Sequence, residues 1–233
     1  MFLFRHNKPI DLSGFTDCHS HILPGVDDGV QKFSDSLQIL GRYEELGIRE
    51  VVFTPHVMAD VPNTTEGLRA RFEAFRGEYK GGIKLHLAAE YMLDTLFLQR
   101  LADGDLLTHG DGNRVLVETS YLQPPSGLND IFFNIQTSGY EIILAHPERY
   151  MYMEMSEYDK LRDKGIMLQM NLGSLAGMYG TSVQKRALHL LKGGYYSMAG
   201  SDIHNPRMIS HYLEVKLDAA CEKAFAAIRE VSI

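Results

Sequence analysis

The chain has 233 residues, 45% of them hydrophobic and 23% charged, a globular composition with enough apolar material for one sizeable core. A formal net charge of −7 with no basic run argues against a nucleic-acid binder. No apolar stretch approaches the ~18 residues of a membrane helix, and the opening MFLF before Arg5, His6 and Lys8 is too short for a signal peptide, so a cytoplasmic chain with no membrane insertion is expected.

Strand and helix alternate almost from end to end. Residues 15–19 predict a first strand. Residues 34–46 predict a helix, with Leu37, Leu40 and Tyr43 at helical spacing and Gly47 as its stop. EVVFT at 50–54 reads as a buried strand halted by Pro55. Residues 65–79 form a charged amphipathic helix with Leu68, Phe72 and Phe75 on one side. Strand 84–90, helix 93–101, strand 115–118 and helix 128–138 follow. Strand 141–145 leads to helix 156–164, with Ser156 as its N-cap. Strand 167–171, helix 183–192 and strand 196–200 complete the series, and the tail from Met208 reads as helical. Seven strands in alternation with helices predict an α/β fold with a parallel sheet, rolled into a barrel by short right-handed crossovers. A doubly wound open sheet is the alternative. No linker or repeat marks a second domain, so residues 1–233 are expected to form one.

Nearly every strand ends on a metal-ligand type. His19 and His21 are two apart and share a face, with Asp17 on that face as a candidate for orienting one ring. Asp27 and Asp28 follow in a turn, and either carboxylate could fold back onto a metal. His56 ends the second strand. Glu90 and Glu118 each directly follow an apolar run with no Lys or Arg beside them, and a lone buried carboxylate is costly without a positive partner. His146 ends the fifth strand, with Pro147 behind it and Arg149 three residues on. Asp202 and His204 form an i, i+2 pair after the last strand, and Arg207 follows. Only a closed ring points so many strand ends at one spot, which favours the barrel. His6, His86, His109, His189 and His211 lack this setting and read as surface or helix residues. Met151, Met153 and Met155 read as packing residues. The Gly-rich stretch 173–180 reads equally as a lid or as a plain connection.

HSH, TPH, AAE, LVE, AHPER and SDIH, in that order, resemble the PHP superfamily. DCHSHILPGVDDG, AHPERY and GSDIHN are most similar to its bacterial manganese-dependent protein-tyrosine phosphatases of capsule and exopolysaccharide assembly. The resemblance spans roughly residues 15–207. It implies a distorted (β/α)7 TIM-like barrel of the PHP type with three divalent metal ions, manganese first and iron or zinc as alternatives. Carried over, His19, His21, Glu90 and Asp202 would hold one ion; Glu90, Glu118 and His146 a second; Asp28, His56 and His204 a third. Arg149 matches a phosphate-binding arginine, and Arg207 matches another at a shorter spacing. The implied substrate is a phosphotyrosine protein, the tyrosine-rich tail of a membrane-associated kinase.

Three divalent ions against four carboxylates and a bridging hydroxide keep a small positive excess, suited to a phosphate dianion. Attack by metal-bound hydroxide would need no thiol. Cys18 should point away from the ligands, and Cys18 and Cys221, with no CxxC spacing, read as reduced thiols. Asp202 or His204 could manage protons beside their ligand role. The rival enzyme is a small-molecule phosphatase of the same superfamily, such as a histidinol-phosphate phosphatase. An amidohydrolase fits less well, because Glu90 and Glu118 occupy the places where that family uses a bridging lysine. The rival outside catalysis is a degenerate metal-stabilised binding module, disfavoured by the complete ligand set.

Overall fold

The computed structural model describes residues 7–231; the apolar opening segment and His6 lie outside the described residues. The first half runs β1 (Lys8–Pro9), β2 (Thr16–Ser20), α1 (Phe33–Glu45), β3 (Glu50–Phe53), β4 (His56–Val57), α2 (Thr65–Glu78), β5 (Lys84–Leu87), β6 (Glu90–Met92) and α3 (Thr95–Asp103). The second runs β7 (Arg114–Glu118), α4 (Leu128–Thr137), β8 (Glu141–Ala145), α5 (Met155–Asp163), β9 (Met167–Asn171), α6 (Leu172–Leu175), α7 (Thr181–Lys192), β10 (Met198–Gly200), α8 (Met208–Leu213), β11 (Lys216–Leu217) and α9 (Ala219–Arg229).

The fold is mixed α/β around a curled parallel sheet. β2, β3 and β5 pair in that order, and β4, β6, β7, β8, β9 and β10 pair in that order. A parallel bridge between Ser20 and Ile203 brings the end of β2 to the segment after β10. Two of the expected strands are each broken in two. Pro55 has no N–H to donate, so the strand from Glu50 stops before it and resumes at His56. The strand from Lys84 breaks at Ala88 and Ala89. Pairing is carried across the joints by Ala88 N–H to the Phe53 carbonyl at 2.8 Å and Glu90 N–H to the Pro55 carbonyl at 3.1 Å.

Alternation along the strands explains the two cores. Val115, Val117, Ile142 and Leu144 belong to the large cluster that takes in the helices. Leu116, Ile143, Ala145 and Met198 form a small separate cluster on the opposite face of the sheet. Glu118 is two residues beyond Leu116, and Asp202 is four beyond Met198, so the same inner face climbs from an apolar plug to charged strand ends. β2 departs from this pattern. Its register against β3 slips between Asp17 and Ser20. Cys18 therefore packs in the inner cluster beneath the ligands, not away from them, while Asp17 reaches Tyr43 of α1 and Ser201.

Other boundaries moved for local reasons. The buried face of α1 is Ser36, Ile39, Leu40 and Tyr43, and Leu37 is turned out. Helix α5 starts one residue before Ser156, because the Glu157 carboxylate accepts the Glu154 N–H at 2.6 Å. The tail is not continuously helical: β11 interrupts it to pair antiparallel with β1. His109 is not on the surface. It is buried, its N–H donates to the Arg114 carbonyl at 2.8 Å, and its Nε2 has no partner. Burial carries its pKa down to about 3.

Candidate metal centre

The C-terminal strand ends open on one cavity of about 470 Å³. Asp28, His56, Glu90, Glu118, His146, Asp202 and His204 line it, together with Arg149. His19 and His21 are fully buried beside Glu90 and Asp202. All nine sequence-selected acids and imidazoles thus meet in one place.

They meet at ligand spacing. His19 Nε2 is 3.1 Å from His21 Nε2, 3.1 Å from Glu90 Oε2 and 3.5 Å from Asp202 Oδ1. His21 Nε2 is 3.4 Å from Glu90 Oε2 and 3.3 Å from Asp202 Oδ1. His56 Nδ1 is 3.1 Å from Glu90 Oε2 and 3.2 Å from Glu118 Oε1. Asp28 Oδ1 stands 3.5 Å from both His56 Nε2 and His204 Nε2. Donor atoms about 2.1 Å from a shared ion lie about 3.0–3.4 Å apart, so these separations fit a common cation. Three overlapping groups emerge: His19, His21, Glu90 and Asp202; His56, Glu90 and Glu118; His21, Asp28, His56 and His204. His146 falls in none of them. Its Nε2 lies 2.9 Å from Glu90 Oε1, and its Nδ1 is buried without a partner. His56 stands instead at the shared edge of Glu90 and Glu118.

Three buried atoms of the middle group, His56 Nδ1, Glu90 Oε2 and Glu118 Oε1, have no hydrogen-bond partner. Such orphaned groups are rare and costly unless something else satisfies them. Protons show the same strain. Burial would lower the pKa of His19, but Glu90 and Asp202 drive it up to about 9. Burial also opposes the shift at His21, yet Asp202, Asp27 and Glu90 hold it well above its ordinary value. Burial would raise Glu90 and Asp202, but the neighbouring imidazoles keep both well below the usual carboxylate range. The cluster is built for positive charge that its own side chains supply only by taking up protons.

A surrounding set of polar groups fixes the rings. Gln169 Oε1 can only accept, so His19 Nδ1 donates to it at 2.9 Å and Nε2 is left bare towards the cluster. Asp27 Oδ2 does the same for His21 Nδ1 at 2.8 Å. His204 Nδ1 donates to the Asp202 carbonyl at 2.9 Å. Asp17 does not orient a ring. It accepts the Ser201 N–H at 2.7 Å and hydroxyl at 2.6 Å, and so pins the segment that carries Asp202. Backbone strain marks the same strand ends. His146 and Asp202 are the non-glycine residues with positive φ, at 33° and 54°, among the described residues. Left-handed backbone without glycine persists where surrounding structure enforces it, often at functional sites.

Arg149 Nη1 donates to Asp202 Oδ2 at 3.1 Å. Its guanidinium lies between the rings of Tyr121 and Tyr179, 4.0 and 4.1 Å from their centroids. Arg207 is exposed at the start of α8 and does not line the cavity, although His204 and Met208 on either side of it do. Sequence reasoning missed Gln169, Asn171, Tyr121 and Tyr179. Gln169 and Asn171 left a signal: two polar residues at period two near the end of a buried strand. Tyr121 left none. Tyr179 sits in the glycine-rich stretch, which is the short helix α6 and a turn packed on the site, with Met178 and Tyr179 lining the cavity. Met151 is exposed, Met153 buried and Met155 partly buried at the start of α5, and none lines the cavity.

Residues 15–223 match the family described as capsular polysaccharide synthesis, CpsB/CapC. The tyrosine-protein phosphatase YwqE of Bacillus subtilis (strain 168) is 30% identical over 219 residues, covering 91% of this chain and 85% of that protein. The tyrosine-protein phosphatase CpsB of Streptococcus pneumoniae is 29% identical over 224 residues, covering 89% and 90%. A crystal structure from work on YwqE of Bacillus subtilis and CpsB of Streptococcus pneumoniae, described as unique metal-dependent tyrosine phosphatases, superimposes with a TM-score of 0.77 at 26% identity, over 94% of this chain and 96% of that one. The lactonase Lmo2620 of Listeria monocytogenes shares the fold, with a TM-score of 0.53 at 11% identity over 87% of this chain and 82% of its own.

Proposed function

The chain belongs to the CpsB/CapC family of capsular polysaccharide synthesis, and from that membership and its site we propose that it is a metal-dependent protein-tyrosine phosphatase. The observation that carries the reading is the meeting of three orphaned donor atoms, His56 Nδ1, Glu90 Oε2 and Glu118 Oε1, in one cavity with Arg149. His19, His21, Glu90 and Asp202 would hold one ion. Glu90, Glu118 and His56 would hold a second, with His146 on the other oxygen of Glu90. Asp28 and His204 would hold a third; His21 Nε2 is committed to the first ion and His56 Nδ1 to the second, and a neutral imidazole has one bare nitrogen to give. Manganese is the ion the sequence resemblance implies, and the N/O donor set also admits iron or zinc.

Such ions, when bound, lower the pKa of water and neutralise phosphoryl oxygens. The chain's own residues do the rest. Gln169 and Asp27 keep His19 and His21 with a bare Nε2. Arg149 binds the phosphoryl group and stabilises the charge that develops on it. Asp202 serves both arrangements, with Oδ1 towards His19 and His21 and Oδ2 on Arg149. No thiol takes part: burial, and then Asp17, push the Cys18 pKa well above its ordinary value. The curled sheet is a distorted (β/α)7 barrel, residues 1–233 form one domain, and the substrate is a phosphorylated tyrosine on the tail of a membrane-associated kinase. No helix among the described residues is long and apolar enough to cross a membrane.

The test is hydrolysis of a phosphotyrosine peptide and of histidinol phosphate, with manganese and with chelator. The peptide is expected to be preferred and chelator to abolish turnover. Full turnover in a rigorously metal-free sample would refute the reading.

A further inference from the structure

Each of two tyrosines in the cavity makes two contacts of different kinds. Tyr121 sets its ring face on the Arg149 guanidinium and points its hydroxyl at Glu118 Oε2, 3.4 Å away. Tyr179 sets its ring against the same guanidinium, 4.1 Å from Cζ to the ring centroid, and points its hydroxyl at Asp202 Oδ2, also 3.4 Å away. Asp202 Oδ2 accepts from Arg149 Nη1 at 3.1 Å and from Asn171 Nδ2 at 2.6 Å. Among the described residues, the guanidinium donates to no group but Asp202. An arginine carries five N–H groups in one plane. With two rings packed against it and Nη1 held by Asp202, the plane is restrained, and its other donors face the cavity without a partner among the described residues. A free arginine side chain carries about 2 kcal/mol of rotamer entropy.

We infer that Tyr121 and Tyr179 are positioning residues: they hold the Arg149 plane in the orientation that receives a phosphoryl group, and tie that orientation through Glu118 and Asp202 to the metal-binding cluster. The ring faces do the clamping, so phenylalanine keeps most of the effect and alanine loses it. The two tyrosines come from separate segments, after β7 and after α6, so the clamp also couples two loops at the mouth. This inference rests on the proposed phosphatase reading for its purpose, but not for its test.

The probe is inorganic phosphate, titrated calorimetrically into the full chain with manganese. Phosphate has no ring, so stacking on a substrate cannot contribute. Tyr121→Ala and Tyr179→Ala should each weaken phosphate binding by roughly fivefold to thirtyfold, the loss expected of a partly desolvated cation–π contact. Tyr121→Phe and Tyr179→Phe should restore affinity to within about threefold of the parent. In an Arg149→Ala background, or Arg149→Lys where binding is too weak to titrate, the alanine variants should cost less than about twofold more, because the residues act as a unit. Equal losses in both backgrounds, or no loss in the parent, would overturn the inference. Where an alanine variant melts early, Tyr→Leu fills the space without a π face and must show the same loss. A parent that binds phosphate but hydrolyses no aryl phosphate would sink the phosphatase reading and leave the clamp standing.

Discussion

Asp27→Asn isolates the residues that orient the ligands from the ligands themselves. Asp27 belongs to none of the three donor groups, yet it accepts three N–H bonds: Gly29 at 3.0 Å on Oδ1, and His21 Nδ1 at 2.8 Å and His56 N at 3.1 Å on Oδ2. Burial would raise its pKa, but the bond and charge of His21 bring it down to about 2, so it is ionised and accepts on both sides. An asparagine has one acceptor oxygen. Whichever way the amide turns, at least one part-buried N–H faces an NH2 group, which costs about 1–3 kcal/mol. If the amide nitrogen faces His21, the ring loses the partner that keeps Nε2 bare. Removing such a partner typically weakens metal binding 10- to 100-fold, or about 1.4–2.7 kcal/mol. The assay is competition for manganese against a chromophoric chelator, with circular dichroism to confirm the fold. Asp28→Asn is the comparison. Asp28 lies in the outermost group with its side chain 72% exposed, so its loss should weaken one ion and spare the inner two. A folded Asp27→Ala, which leaves His21 Nδ1 no acceptor in any orientation, that holds manganese within twofold of the parent would refute the proposed role.

Three further outcomes follow from the geometry. A Cys18→Ala, Cys221→Ala double variant should retain most activity; a near-total loss in a folded, metal-loaded protein would point to thiol chemistry. Gly200→Ala should destabilise the chain by about 1–3 kcal/mol or more and strip metal, because a Cβ there would lie 2.4 Å from His19 Cβ and 2.9 Å from His19 N, and a parent-like melting curve would contradict this. His109→Leu should make the metal-free protein less acid-sensitive. The unfolded chain binds a proton near pH 6.5, but folded His109 refuses it until about pH 3, so the parent loses stability between those values as pH falls, at about 1.4 kcal/mol per pH unit. Urea midpoints at pH 7 and pH 5 should diverge between parent and variant, and parallel declines would exclude His109 as the cause.

Local pattern carried much of the architecture. The apolar runs at Val115 to Val117 and Ile142 to Leu144 were readable because parallel strands are buried on both faces. Breaks depended on partners. Nothing in the sequence near Ala88 and Ala89 marks a joint; the break follows from pairing with β3 on one side of it and with β4 and β7 on the other. The slip in β2 sent Asp17 and Cys18 to unexpected faces for the same reason.

The amino-acid sequence by itself determined the donor types, their order, and their place at strand ends. Those follow from local chemistry: a carboxylate after an apolar run is costly without a cation, and strand period sets which residues share a face. Only the tertiary structure decided which donors stand together. His56 took the edge of Glu90 and Glu118, Arg207 was left outside, and Arg149 was caught between Tyr121 and Tyr179. Such choices turn on loop paths and side-chain rotamers across separations of 28 to 62 residues, and no local propensity encodes them.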